Sequence, residues 1–174
     1  ALEPPDSLED YSQTIVIGRR EDLLGLADSA SEGSVGAEQL APRPLLRPGE
    51  VLETVPGLVV TQHSGAGKAN QFFLRGYNLD HGTDFLTVFD GAPLNLPTHG
   101  HGQGYTDINF LIPELIEEID FKKGPYSARY GDFASSGVAE IAYRRAMPDG
   151  LLSLQAGSHE FYRTLVADSF PVQG

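Results

Sequence analysis

The chain has 174 residues, of which 40% are hydrophobic, and its 24 acidic against 12 basic side chains give a formal net charge of −12. This length suffices for one ordinary domain with a core, while the acidic balance, without a clustered basic stripe, argues against nucleic acid as a partner. Because cysteine is absent, disulfide frameworks, thiolate metal sites and thiol nucleophiles are excluded.

The first part of the chain, residues 1–44, combines four prolines with a small polar run at 28–34 and shows little hydrophobic period. We therefore expect much of it to be extended or mobile. Within it lies a β-prone run that Gly18 ends: Gln13, Thr14, Ile15, Val16 and Ile17. This run fits either an edge strand of the domain itself or an extended peptide that pairs with the open sheet edge of a partner.

The second part, residues 45–149, alternates short helical and strand patterns, which predicts an α+β domain with a small mixed sheet and short helices. Proline at a first helical turn and Pro56-Gly57 as a stop predict a helix over 47–55. A second helix is predicted over 113–118 and a short helical piece over 127–130. Strands are predicted at 58–62, 72–74, 85–89, 119–123 and 138–143, with turns at Arg75-Gly76 and Asp90-Gly91.

The third part, residues 150–174, shows the alternation of a strand with one apolar side. Leu152, Leu154 and Ala156 alternate with Ser153 and Gln155, as in strands of membrane β-barrels, and residues 163–168 are the expected partner strand. One or two such strands cannot close a barrel. No stretch approaches the roughly 20 apolar residues of a spanning helix.

Four phrases in fixed order resemble the plug domain of TonB-dependent outer-membrane transporters: VLETVPGL at 51–58, FLRGYN at 73–78, TVFDGAPLN at 87–95 and IPELIEEIDFKKGPYSARYG at 112–131. The resemblance implies that residues 45–149 form a plug inside a barrel lumen, that 150–174 begin a truncated barrel, and that the N-terminus lies in the periplasm. Only 25 residues follow Asp149, so we expect the chain to be part of a longer protein. The sequence departs from the family at 136–141, which often begins Gly-Gly before an Asn-bearing strand.

The resemblance also implies partners and site residues. The run Gln13–Ile17 would be the TonB box, which pairs with the TonB C-terminal domain, and Arg75 and Arg129 would dock the plug to its own barrel, although both could equally be surface arginines that cap carbonyls. An extracellular small molecule, such as a ferric siderophore or other metal chelate, would bind loops at the outer face of the plug. The candidate ligand-binding residues are His63, Lys68, Asn70, His81, Asp84, His99, His101 and Tyr105.

Four of the five histidines fall between predicted plug strands. His99 and His101 lie two residues apart on a glycine-rich backbone, and Asp80, next to His81, and Asp84 offer carboxylates that could complete a nitrogen and oxygen metal shell. The alternative is a set of solvent-exposed, hydrogen-bonding imidazoles, because a site needs three or four converging ligands. No resident cofactor is expected, and a metal or metal chelate enters only as a ligand.

Catalysis is not expected. After His101 the sequence continues Gly102-Gln103, so the His-x-His-x-Asp-His pattern of metallohydrolases is missing, as are a G-x-S-x-G elbow and a G-x-x-x-x-G-K-[ST] loop. The resemblance to plug domains instead implies a transporter gate in the outer membrane. The alternative is a stand-alone ligand- or metal-binding interaction module, which would bind its ligand without barrel walls.

Overall fold

The computed structural model of the chain describes residues 26–63 and 67–170. The β-prone run Gln13–Ile17 lies outside them. By internal contacts the chain divides into two compact units, one ending at Ala142 and one beginning at Tyr143.

The described elements are short. The strands are β1 (Leu26–Ser29), β2 (Glu32–Gly36), β3 (Leu58–Thr61), β4 (Gln71–Leu74), β5 (Tyr77–Asn78), β6 (Phe85–Phe89), β7 (Ala92–Pro93), β8 (Ile116–Lys123), β9 (Gly137–Tyr143), β10 (Leu151–Ala156) and β11 (Tyr162–Ala167). The helix α1 spans Ala37–Leu40, and 3₁₀ helices span Pro48–Thr54, Pro113–Leu115 and Ala128–Tyr130. This composition confirms the predicted α+β class with a mixed sheet and short helices.

Six strands form the main sheet in the order β1-β2-β8-β9-β6-β7. The pairs β1–β2, β2–β8 and β6–β7 are antiparallel, whereas β6 and β9 are parallel, with Phe85 opposite Gly137. A second, antiparallel sheet has the order β3-β4-β5. Since β7 runs back along β6, the chain that follows β7 returns to the end of the sheet where β6 begins.

Both predicted hairpin turns are confirmed. Arg75 and Gly76 join β4 to β5 with φ of 53° and 82°, and Asp90 and Gly91 join β6 to β7 with φ of 47° and 83°. Two positive φ angles in a two-residue loop are typical of a type I′ turn, whose twist matches that of the flanking strands. Aspartate before glycine suits such a turn because both residues tolerate the left-handed region.

Within the part expected to be largely extended or mobile, the segment Leu26–Leu40 forms the regular elements β1, β2 and α1, which the sequence did not predict. The strand β2 pairs with β8 over five residues, and Lys122 Nζ lies 2.7 Å from Glu32 Oε2 across that pair. Its buried hydrophobic residue is Val35, 8% exposed. The strand β2 has one buried apolar residue, and its pairing partner β8 lies more than 80 residues away in the sequence. It therefore has no hydrophobic period that local patterns detect.

The predicted helix over 113–118 is also wrong beyond its first turn. The 3₁₀ helix ends at Leu115 and β8 begins at Ile116. Residues Glu118 to Lys122 pair with β2, so their backbone groups form sheet hydrogen bonds in place of helical ones. By contrast, the 3₁₀ helix Pro48–Thr54 lies where the sequence predicts a helix, and the strand at 85–89 has the predicted bounds.

The core of the first unit lies among the 3₁₀ helix Pro48–Thr54, β3, β4, β6, β8 and β9. Its fully buried hydrophobic side chains include Val51, Leu52, Val55, Phe72, Leu79, Phe85, Ile108, Ile116, Ile119 and Ile141. The rings of Phe72 and Phe85 lie 6.4 Å apart, and so link the two sheets.

The second unit contains the antiparallel hairpin of β10 and β11, in which Leu152 pairs with Val166 and Ala156 with Tyr162. This pairing confirms the strand partner predicted at 163–168. The side chains of Leu152, Leu154 and Val166 share one face and are 67%, 71% and 72% exposed. In the described part of the chain, no helix has the length and hydropathy needed to cross a membrane.

Candidate functional site

Three loops of the first unit meet where β6 begins. They are the loop between β3 and β4, which contains His63, the loop between β5 and β6, which contains Asp80 and His81, and the long connection after β7, which contains His101 and Tyr105. The backbone nitrogen of Thr106 donates to the carbonyl of His81 at 2.7 Å, and that of Ala69 donates to the Tyr105 hydroxyl at 2.8 Å. We call the group Asp80, His81, His101 and His63 the histidine cluster.

Asn95 holds two of these loops to the start of β6. Its side chain is 5% exposed and accepts a hydrogen bond from the backbone N–H of Thr87 at 2.8 Å. Its amide donates to the carbonyls of Gly82, Phe85 and Gly104 at 2.9, 3.0 and 3.2 Å. A buried asparagine with every donor and acceptor engaged rigidifies the backbone it touches, so Asn95 fixes the frame on which the cluster is mounted.

Gly82 permits the close approach of the same loops. Its φ is +117°, and a Cβ there would lie 2.7 Å from the carbonyl oxygen of Gly104 and 2.6 Å from the hydroxyl of Thr106. Position 82, in the loop between β5 and β6, therefore requires glycine for both steric and conformational reasons. The sequence does not single out Asn95 or Gly82, although the phrase at 87–95 ends on the asparagine.

His81 is the buried centre of the cluster, with 3% exposure. Its Nδ1 lies 3.0 Å from the carbonyl oxygen of Asn70, and because a carbonyl only accepts, Nδ1 carries the proton. In the neutral ring the lone pair is then on Nε2, which lies 3.6 Å from Asp80 Oδ1. A ring whose Nδ1–H is fixed by a backbone carbonyl is the usual arrangement of a metal-binding histidine.

Asp80 and His101 face His81. His101 Nε2 lies 3.8 Å from Asp80 Oδ2, with side chains 38% and 50% exposed, and the rings of His81 and His101 meet edge to face with centroids 4.5 Å apart. One ligand atom from each of Asp80, His81 and His101 lies within 4.8 Å of the other two. Asp80 reaches this position with φ of 48°, which aspartate tolerates better than most residues.

His63 lies beside these three residues, in the β3–β4 loop, and its nitrogens are not part of the trio of converging ligand atoms in the described part of the chain. Its ring centroid lies 5.0 Å from that of His81, and its Nε2 is shielded from solvent with no hydrogen-bond partner among the described residues. Loss of hydration, and then the positive charge of Lys68, lower the pKa of His63 below its ordinary value. Both effects favour the neutral imidazole, which is the form that binds metal.

His99 takes a different position from His101, although two residues separate them. Its ring stacks on Tyr105 at 4.0 Å with an angle of 13° between the planes, and its Nδ1 accepts the backbone N–H of His101 at 3.1 Å. Its nitrogens are not part of the trio of converging ligand atoms found among the described residues. Tyr105 in turn contacts the rings of His81 and His101, at 5.6 and 5.7 Å.

The other candidate ligand-binding residues make hydrogen bonds within the protein. Asn70 is 1% exposed and donates to the Gln62 side chain at 2.8 Å. Lys68 accepts hydrogen bonds at its backbone carbonyl from the side chains of Gln62 and Asn109. Asp84 accepts from the Ser135 hydroxyl at 2.6 Å.

The two candidate docking arginines lie elsewhere on the first unit. Arg75 occupies an exposed hairpin turn. Arg129 donates to Glu140 at 2.9 Å with its side chain 69% exposed, and its guanidinium lies 4.8 Å from the Tyr130 ring centroid.

Arg129 lines an open cavity of about 550 Å³ that is separate from the histidine cluster. Its wall carries acidic groups as well as that arginine, and burial, followed by the neighbouring Asp120 and Glu117, raises the pKa of Glu118. Burial also raises the pKa of Tyr130, with a further contribution from its hydrogen bond to Glu140. The charged and aromatic lining residues are Asp90, Glu118, Asp120, Arg129, Tyr130, Asp132, Phe133 and Glu140.

Comparison with known proteins gives a consistent result. Residues 26–138 match the family model described as TonB-dependent Receptor Plug Domain. Among solved structures, a mutant ferric enterobactin receptor from Pseudomonas aeruginosa in complex with enterobactin is 27% identical, with a TM-score of 0.56 over 73% of this chain and 20% of that one. The siderophore receptor PirA from Acinetobacter baumannii is 26% identical, with a TM-score of 0.53 over 72% and 19% of the two chains.

A third structure, the copper transporter OprC, shares the fold at 21% identity, with a TM-score of 0.57 over 81% of this chain and 21% of that one. The chain thus spans about a fifth of the length of each of these structures.

Proposed function

Because the chain belongs to the TonB-dependent receptor plug domain family, we propose that it is the gate of an outer-membrane transporter. It closes the lumen of a β-barrel, binds an extracellular ligand and couples to TonB for active uptake. The observation that carries this proposal is the family match across residues 26–138, which includes nearly every element of the main sheet. The two similar structures at 26–27% identity are receptors.

The hairpin of the second unit supports a barrel that follows the plug. In β10 and β11 the side chains of Leu152, Leu154 and Val166 form an exposed apolar face, while the opposite face carries the polar Ser153, Gln155 and Arg163 together with Leu151, Leu165 and Ala167. A barrel strand needs this alternation, because lipid covers one face and the lumen or plug the other. We propose that β10 and β11 are the first two barrel strands.

The ligand class is proposed from the same relatives. The Pseudomonas aeruginosa receptor, at 27% identity, is a ferric enterobactin receptor, and the Acinetobacter baumannii protein is a siderophore receptor. We propose a metal chelate, such as a ferric siderophore, that approaches the three loops carrying the histidine cluster. The residues nearest to it would be His99 and His101, which are exposed, and the half-buried Tyr105, whose ring contacts both.

Energy coupling would use the run Gln13–Ile17. An extended peptide can add a strand to the sheet edge of TonB through its backbone N–H and C=O groups. For ligand to promote this pairing, it must bind the state with an accessible TonB box more tightly than the docked state, because equal affinity shifts no population.

The proposal is tested by calorimetric titration of the purified chain with a TonB C-terminal domain that binds a known box peptide under the same conditions. Wild type should bind, Ile15→Pro should not, since proline removes a backbone donor and disrupts strand pairing, and Ile15→Val should bind like wild type. An absence of binding by wild type would contradict TonB coupling through this chain. Equal binding by Ile15→Pro would contradict the assignment of Gln13–Ile17.

A further inference from the structure

The histidine cluster has the donors of a metal site in a suitable arrangement. Two imidazole nitrogens and a carboxylate, from His81, His101 and Asp80, converge within 4.8 Å. Ligand atoms around a tetrahedral ion with bonds of 2.0–2.2 Å lie about 3.4 Å apart. The distances from Asp80 to His81 and His101, 3.6 and 3.8 Å, are close to this value, so small rotations of exposed side chains would suffice.

The inner ligand is already oriented. His81 is held by its Nδ1–H bond to the carbonyl of Asn70 and by the Thr106 N–H bond to its own carbonyl. Its Nε2 therefore faces Asp80 before any ion arrives. Because the fold already orders the His81 imidazole, metal binding loses less conformational entropy.

His63 supplies an independent sign of a ligand. Its Nε2 is shielded from solvent and has no protein partner among the described residues, an arrangement that costs free energy unless something fills it. The ring lies 5.0 Å from that of His81. The positive charge of Lys68 repels a cation near His63, and the negative charge of Asp80 offsets this repulsion.

The types of ligand in the histidine cluster favour one class of metal ion. Three imidazoles and one carboxylate suit borderline divalent ions such as Zn²⁺, whereas Ca²⁺ and Mg²⁺ prefer oxygen ligands alone. The sequence has no cysteine and one methionine, so the soft ligands that select Cu(I) are not provided.

We propose that Asp80, His81 and His101, whose ligand atoms converge, bind a divalent transition-metal ion of the zinc type directly, and that His63, whose ring lies 5.0 Å from that of His81, moves toward them as fourth ligand. The protein itself then coordinates a metal, in addition to any chelate that the loops receive. Metal binding at this site does not depend on TonB coupling. A negative result in the TonB titration therefore does not bear on the metal site, and a negative Zn²⁺ titration does not bear on TonB coupling.

The test is calorimetric titration of ZnCl₂ into the purified chain in a non-coordinating buffer, with Co²⁺ absorption as a report of coordination geometry. Wild type should bind one equivalent, and the Co²⁺ form should show the strong visible bands of a tetrahedral site. His101→Ala and Asp80→Asn should each weaken Zn²⁺ binding at least about tenfold. Asn tolerates the left-handed φ of Asp80, so the fold should survive, which circular dichroism checks.

Two histidine variants serve as controls. His99→Ala removes the imidazole that stacks on Tyr105, and His159→Ala removes one from the second unit; both should bind Zn²⁺ like wild type. A loss in His99→Ala as large as that in His101→Ala would replace the proposed site by a local His99-x-His101 chelate. No saturable binding by wild type, or equal binding by all variants, would overturn the site altogether.

Discussion

The sharpest test of the fold around the cluster is the substitution Asn95→Ala. It removes the acceptor of the Thr87 N–H and the two amide hydrogens that are shared among the carbonyls of Gly82, Phe85 and Gly104. The site is 5% exposed, so water does not readily replace the lost groups.

The size of the stability loss depends on which of the former partners of Asn95 keep another hydrogen bond. The carbonyl of Gly82 keeps the Phe85 N–H at 3.2 Å, and that of Gly104 keeps the Thr106 hydroxyl at 2.9 Å. The N–H of Thr87 loses its side-chain acceptor, and a buried unsatisfied donor costs about 1–3 kcal/mol. With about 1 kcal/mol for the other lost bonds, we expect Asn95→Ala to lower the free energy of unfolding by about 2–4 kcal/mol.

Urea unfolding followed by circular dichroism measures this loss. With a slope of about 1–3 kcal/mol per molar urea, a loss of 3 kcal/mol moves the midpoint by about 1–3 M. The matched control is Asn109→Ala, which removes hydrogen bonds to the Lys68 carbonyl and the exposed Asp107 side chain and should cost less than about 1 kcal/mol. Equal midpoints for the two variants would refute the role given to Asn95.

Three further stability predictions follow from the first unit, each measured by urea unfolding. Gly82→Ala should lower the free energy of unfolding by about 2 kcal/mol or more, because its φ is +117° and a Cβ would lie 2.7 Å from a backbone oxygen. The control Gly91→Ala, with φ of +83° and open space around the added Cβ, should lower it by about 1 kcal/mol. Similar losses in the two variants would contradict the close approach at Gly82. Phe72→Ala, at a fully buried ring, should cost about 3–5 kcal/mol, and a loss under 1 kcal/mol would place that ring outside the core. Arg129→Ala should cost less than about 1 kcal/mol, because the arginine side chain is 69% exposed; a larger coupling energy in a double-mutant cycle with Glu140→Gln would contradict this.

Local chemistry was sufficient to locate much of the first unit. The turns Arg75-Gly76 and Asp90-Gly91 and the strand between 85 and 89 need only residues adjacent in the sequence, and all three are confirmed. The strand β2 and the early start of β8 depend on each other across more than 80 residues. Neither has a periodic pattern of its own, so the sequence alone could not distinguish β2 from a polar loop or the start of β8 from a helix.

The histidines show the same limit at the site. Sequence spacing pairs His99 with His101, because two residues separate them, but the fold places His99 on the Tyr105 ring and turns His101 toward Asp80 and His81. The converging ligands come from loops about 20 residues apart, which Asn95 holds together. A metal site of this kind exists only in the folded chain, so its binding free energy adds to the free energy of folding. A local His99-x-His101 chelate would instead bind the unfolded chain as well, and would stabilise the fold little.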